Sequence, residues 1–233
     1  MAAAGSLPLY LQISELLIRD IASGRLIEGE RLPPERDMAA DLGIAVGTLR
    51  QALKDLTAKG LLDRVQGSGN YIRAKADPAS VYALFRLELL SGGGLPTAQV
   101  LSVDRVAKDP ALPAFGSSDQ GHRIRRLRFL SGKIAAVEEI WLDGDYIAQI
   151  PIGDLSESLY LYYRQKLGLW IARAEDGIGQ AALPDWSPPS FPHRAGSALP
   201  FITRLSWGQD GRAAEASWTW YDPNVVRYVA RLK

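Results

Sequence analysis

Arg126 and Arg128 stand two apart in the run RIRRLRF. On a strand, alternation of side chains would put both on one face. Two guanidiniums facing one way form a clamp for a phosphate or a carboxylate. The plainer alternative is a surface strand paired with acidic neighbours. Glu138 and Glu215 could in principle do acid–base chemistry beside such a clamp. Glu138 is followed by Glu139, and alternation sends the two to opposite faces, so only one can look into a shared pocket. Near the N-terminus, GIAVGTLRQAL (Gly43 to Leu53) offers Thr48, Arg50 and Gln51, residue types that touch nucleic acid. That stretch opens with Ala45, Val46 and Gly47, which offer neither a hydrogen bond nor a charge.

Other chemistries lack their residues. The 233-residue chain has no cysteine, which removes disulfides, thiol nucleophiles and thiolate metal sites, and it has only two histidines, His122 and His193, in different contexts. No metal or cofactor is expected. SGGGLP lacks the Lys-Ser/Thr of a phosphate-binding loop. The N-terminal MAAAGSLPLYLQI lacks a basic region and a long apolar run, and no stretch approaches about 18 continuous apolar residues, so a cytoplasmic protein with no membrane partner is expected. A hydrophobic share of 47% with 23% charged residues is that of a globular protein. The formal charge of +1 hides an asymmetry: between Ile44 and Lys75, six basic residues face Asp55 and Asp63, a local +4.

The elements that must carry these groups follow from periodicity and punctuation. Leu9, Ile13, Leu16, Leu17 and Ile21 predict a helix over Pro8 to Ser23, with Gly24 after its end. Pro33-Pro34, with Glu35 and Asp37 in the first turn, opens a short second helix that stops at Gly43. Leu49, Leu53 and Leu56 mark a third helix ending near Gly60, and so short a turn between the two makes a helix-turn-helix. LLDRVQGSGNYIRA then reads as two strands around a Gly67-Ser68-Gly69 tip. Three helices and a hairpin in about 75 residues predict a winged helix-turn-helix, whose third helix can enter the major groove while the wing reaches phosphates or the minor groove. Arg36, at the start of helix two, and Arg50 have the reach to contact phosphates or guanine edges.

AKADPAS reads as a linker. Beyond it VLSVDRVA, HRIRRLRFLSG, KIAAVEEIWLDG and RAAEASWTWYD are strand-like, with turns at Ser131-Gly132 and Asp210-Gly211. LSESLYLYYRQKLG is the clearest helix of this half. An α+β domain on an antiparallel sheet is expected. Trp141, Trp218 and Trp220 are expected in its core, and the Pro-rich ALPDWSPPSFPHRAG as an irregular segment with a solvated His193. The divisions are 1–75 for the winged helix-turn-helix, 76–80 for the linker and 81–233 for the second domain.

PLYLQI, LPPERDMAADLGI, GTLRQALKDLTAKGLL and RVQGSGNYI together resemble the DNA-binding domain of the GntR family of bacterial repressors over residues 7 to 74. RIRRLRFLSGKIAAVEEIWL, SESLYLYYRQKLG and DGRAAEASWTWYDP, in that order, resemble the UTRA effector-binding domain, similar in fold to chorismate lyase, that marks the HutC subfamily. The resemblance implies operator contacts by Arg36, Thr48, Arg50, Gln66 and Gly67. It implies an effector site with Arg126, Arg128, Ser158 and Tyr160 at the anionic end of a ligand and Glu138, Glu215 and Tyr221 toward its polar body. A ligand-responsive repressor is expected, with double-stranded operator DNA, a small anionic effector such as a phosphorylated sugar or carboxylate, and a second copy of the chain as partners. Two departures stand out: the family often has Ser at Pro34 and Ser-Arg at Ala45-Val46. A bidentate arginine is worth about 1–3 kcal/mol of base discrimination, so the family's operator letters do not carry over. The rival readings are an enzyme of chorismate-lyase-like fold and a winged-helix module for protein contacts.

Overall fold

The computed structural model describes residues 8–73, 82, 84–155 and 158–231; the expected linker at 76–80 lies outside them. Among the described residues, 8–95 and 228–231 form one compact unit and 96–227 another.

In the first unit α1 (Leu9–Ala22), α2 (Glu35–Asp41) and α3 (Val46–Ala58) precede a hairpin of β1 (Leu62–Val65) and β2 (Gly69–Ile72). The predicted helical stripes converge: Ile13, Leu17 and Ile21 pack with Leu49, Leu53, Leu56 and Ile72 in one buried cluster. Pro34 sits at the cap of α2 without a side-chain cap bond, so the helix starts on fixed backbone geometry rather than a hydroxyl. The wing also gains a neighbour that the sequence reading did not foresee. Residues 29–32 run beside β2, with Leu32 N–H donating to Asn70 C=O and Ile72 N–H to Glu30 C=O, each at 2.9 Å. After a short β3 (Leu87–Leu89), the same unit takes in the end of the chain. There Val229 N–H donates to Arg86 C=O at 2.9 Å and Arg231 forks onto Glu88 at 2.7 and 3.0 Å. The expected divisions and the compact units therefore differ over 82–95 and 228–231, because linker composition says nothing about where a chain returns.

The second unit is a single antiparallel sheet in the order β4-β5-β6-β9-β8-β7. Its strands are β4 (Pro96–Ala107), β5 (Gln120–Leu130), β6 (Lys133–Asp143), β7 (Ile171–Ala182), β8 (Ala198–Gly208) and β9 (Ala213–Tyr221), and a short β10 (Val226–Tyr228) follows. Ser131 and Gly132 both have positive φ, 46° and 76°, and make the tight turn between β5 and β6. Between β6 and β7 the chain makes a 3₁₀ turn (Ile152–Asp154), a single α turn, α4 (Leu159–Tyr162), and a wider π turn over Tyr163–Leu167. The long helix expected from LSESLYLYYRQKLG is thus shorter and irregular.

The sheet's two faces differ. One carries Leu127, Val137 and Trp220 under Leu183, Phe191 and Leu199, with Trp186 and Trp218 packed alongside. The Pro-rich segment is therefore a cover on the apolar face, and Trp186 meets Trp220 edge-on at 6.0 Å. His193 is not solvated as expected: its ring lies against Phe191 at 5.4 Å, and its Nε2 is 3.2 Å from the Asp222 carboxylate.

Candidate functional site

On α3, Arg50 is 63% exposed and its Nε donates to Glu35 Oε2 at 2.6 Å; Arg64 of the wing approaches the other oxygen of Glu35 at 3.8 Å. The Arg50 hydrogen bond holds the Glu35 carboxyl below its ordinary range, so it is ionised at neutral pH. Arg36 is exposed and has no ion pair among the described residues. Gln66 and Gly67 are exposed at the wing tip, where Gly67 has φ 76°, a left-handed backbone that glycine adopts without strain. Thr48 is half-buried in the first turn of α3, its N–H donating to Ala45 C=O at 3.0 Å. The bare start of this helix divides in two: Ala45 and Gly47 are exposed, whereas Val46 packs against the buried cluster of the unit.

The second constellation is built by strand register. Directly opposed residues share a sheet face, and Arg126 opposes Glu138, Leu142 opposes Glu215, Ala136 opposes Tyr221 and Ser206 opposes Glu215. One face thus gathers Arg126, Arg128, Glu138, Ser206, Glu215 and Tyr221, with Arg204 and Asp176 beyond Ser206. A bulge decides this. The turn pairs Leu130 with Lys133 and Phe129 with Ile134, then the register slips so that Arg128 opposes Ala136. Without the extra residue Val137 would oppose Arg126, and Glu139 rather than Glu138 would share the arginine face. Glu139 instead accepts from Arg125 at 2.7 Å and from Trp141 Nε1 at 2.9 Å on the other face.

The arginines do not form an empty clamp. Arg126 Nη2 donates to Glu138 Oε2 at 2.8 Å, while Arg128 reaches the same oxygen at 2.9 Å and Oε1 at 3.2 Å. All three are at most 6% exposed. Burial opposes the charge on Glu138, but the two guanidiniums overcome it and hold its pKa down to about 2. Beside them Glu215, 2% exposed, accepts from Tyr160 at 3.1 Å and from Ser206 at 3.2 Å through Oε1. Its Oε2 and the Tyr163 hydroxyl are buried without a well-formed hydrogen bond. Burial raises the pKa of Glu215, so two carboxylates on one face are tuned in opposite directions. Ser158 caps α4, accepting from Leu161 N–H at 3.3 Å, and Tyr221 is buried. A concentration of buried polar groups whose ionisation is shifted marks a candidate ligand site.

The resemblance placed Glu138 toward the body of a ligand, whereas the plainer alternative, arginines paired with acidic neighbours, holds for Arg126 and Arg128, on a buried rather than a surface strand. The sequence reading missed Tyr163, Ser206 and the Arg204–Asp176 fork at 2.6 and 2.7 Å. The signal for Ser206 and Arg204 was their spacing of two in TRLSW, legible only once β8 is recognised as a strand. Among the described residues no group of three or more His, Asp or Glu is placed to hold a metal, and no helix is long and apolar enough to cross a membrane.

Two family models match, the bacterial regulatory proteins of the gntR family over residues 9–72 and the UTRA domain over residues 91–227. The chain is 64% identical over 229 residues, 98% of each chain, to the HTH-type transcriptional regulator SmoD of Agrobacterium fabrum. It is 26% identical to the HTH-type transcriptional repressor NagR of Bacillus subtilis, covering 97% of this chain and 96% of that one. It is 28% identical to the mannosyl-D-glycerate transport/metabolism system repressor MngR of Escherichia coli over 75% of each. The fold is shared with the possible transcriptional regulator YydK of Bacillus subtilis, at a TM-score of 0.54 and 21% identity over 97% of this chain and 100% of that one. These relatives are regulators, and the enzyme reading falls with them. The chain belongs to the gntR family of bacterial regulatory proteins, a transcriptional regulator with a helix-turn-helix head and a UTRA domain.

Proposed function

We propose that the chain acts as a dimeric repressor whose affinity for its operator changes when a small anionic metabolite occupies the polar face of the UTRA sheet. The observation that carries this reading is the Arg126–Glu138–Arg128 triad: two buried guanidiniums converge on one carboxylate within a buried polar face. A ligand phosphate or carboxylate would bind there by taking over hydrogen bonds that the guanidiniums now make to Glu138. The MngR relative is named as repressor of a mannosyl-D-glycerate transport/metabolism system, which supports testing carboxylate-bearing carbohydrates as ligands. Arg36, Thr48, Arg50, Gln66 and Gly67 form the operator surface in this reading. Coupling follows when the ligand binds one of two conformations of the dimer better than the other.

The test uses full-length protein on its own upstream DNA, with operator affinity measured by fluorescence anisotropy against a panel of sugar phosphates and sugar acids. At least one should shift the affinity. The triple variant Arg126→Met, Arg128→Met, Glu138→Leu removes the charges together, an exchange that buried triads tolerate. It should bind the operator as before and lose the response. An equal response in both proteins would overturn the anion-site assignment.

A further inference from the structure

The residues assigned to DNA leave other exposed cations of the first unit unused, Lys54 of α3 and Arg31 among them. Among the described residues of the first unit the ion pairs can be assigned one by one: Arg19 and Arg25 to Asp20, Arg50 and Arg64 to Glu35, Lys59 to Glu15 and Asp55, Arg73 to Glu28 and Asp63, and Arg231 to Glu88. Arg31 has no such partner among the described residues and is exposed. It is not a loosely tethered surface group, because its backbone makes an antiparallel bridge to Tyr71 of the wing. From there its side chain runs back along the wing toward the tip. A Cβ built on Gly69 would stand 3.0 Å from Arg31 Nε and 3.6 Å from Nη2. Gly69 has φ 132°, outside the range that other residues adopt readily. The missing side chain at 69 is therefore needed twice, for the turn and for the path of the guanidinium. Leu32, the next residue, points the opposite way into the buried cluster and fixes the register of the segment.

We infer that Arg31 is a DNA-phosphate contact, laid along the flank of the wing by Gly69, in addition to the contacts assigned above. The inference rests on the operator-binding reading. An arginine that is unpaired and held against the hairpin that flanks α3 can neutralise a phosphodiester without first breaking an internal ion pair. Unlike a base contact, it would strengthen binding to operator and non-operator duplex alike. It would also compensate in part for the arginine that this chain lacks at Val46, by adding affinity rather than base discrimination.

The experiment measures the slope of log affinity against log salt for the full-length protein and its Arg31→Gln variant, on its own upstream DNA and on a scrambled duplex. Each phosphate neutralised contributes a slope of about −0.9. The variant's slope should be shallower by about one, so that between 50 and 200 mM salt the parent loses about 3.5-fold more affinity than the variant. The reduction should be the same on both duplexes. Arg31→Lys should restore the slope, which a purely structural role for the guanidinium would not allow. Gly69→Ala should reproduce the Arg31→Gln slope by displacing the side chain. If Arg31→Gln and the parent have the same steep slope, the inference is wrong while operator binding stands. If the parent's own response is flat, the operator reading itself fails. Arg31 is exposed, so its replacement leaves the fold intact, and thermal melting of each variant serves as the control.

Discussion

Replacing Glu138 by glutamine keeps the shape of the buried triad and removes its only negative charge. Two arginines, each at most 5% exposed, would then lose the carboxylate that they share. Breaking a buried pair from one side costs about 3–5 kcal/mol. The depressed ionisation gives a second route to the magnitude. A folded pKa of about 2, against 4.5 for an ordinary glutamate, corresponds to about 3 kcal/mol at 1.36 kcal/mol per unit. The sign follows from proton binding. Below pH 4.5 the unfolded chain takes up a proton at this position that the folded chain refuses until about pH 2, so the stabilisation is complete above 4.5 and falls as pH drops toward 2. Urea denaturation of parent and Glu138→Gln protein should therefore show a gap of about 3 kcal/mol at pH 7. By pH 3 the gap should have shrunk by about 2 kcal/mol, because the unfolded parent gains a proton at Glu138 there while the folded carboxyl stays largely ionised. In a thermal melt at pH 7 the same gap is about 6–12 °C for a unit of this size. A variant within about 1 kcal/mol of the parent at pH 7, or a gap that does not respond to acid, would refute the idea that the charge of Glu138 holds the arginines in place.

Two further outcomes are expected. Gly116 has φ 63°, and a Cβ there would collide with the Asp143 carboxylate, which receives Lys108 Nζ at 2.6 Å; Gly116→Ala should cost about 2–4 kcal/mol in denaturant titration, of which about 1–2 is backbone strain. Val46→Arg should change base preference at one operator position by about 1–3 kcal/mol in competition binding against single-base variants. Val46 packs on the buried cluster, so the arginine stem can cover the same apolar surface while its head reaches out; an unchanged preference would place discrimination at Arg36, Arg50 and the wing.

The head was legible because its signals are local. Apolar residues at helical spacing, the Pro and Gly boundaries and the Gly67-Ser68-Gly69 tip each act within a few residues, and together they locate three helices and a wing. Within the sheet, β4, β5, β6 and β9 were visible from alternation and from the turns at Ser131-Gly132 and Asp210-Gly211. β7 and β8 were not. β7 is an edge strand whose Glu175, Asp176, Gly177 and Gly179 give no apolar alternation, and Pro200, near the start of an unbroken β8, argues against a strand in the sequence. The polar face depended on something no local signal carries: one extra residue near Arg128 selects Glu138 over Glu139 as the partner of the arginines. The short α4 was also hidden. LSESLYLYYRQKLG has helical periodicity, but the π turn instead brings the rings of Tyr160 and Tyr163 to 6.0 Å and buries Tyr163 completely.

The pairing of Glu35 with Arg50 bears on how quickly a target sequence is found. A regulator spends most of its search on wrong sequences, and each pause there is set by how firmly its cations grip an arbitrary phosphate. If Arg50 contacts the operator as proposed, it begins every encounter engaged to a carboxylate that stays ionised at neutral pH. A random phosphate must compete with that carboxylate. A guanine edge or a well-placed operator phosphate can complete the exchange, and Arg64, already 3.8 Å away, is placed to remain with Glu35 when Arg50 leaves. One acid in the first turn of α2 would thus shorten residence on the wrong sequence more than on the right one.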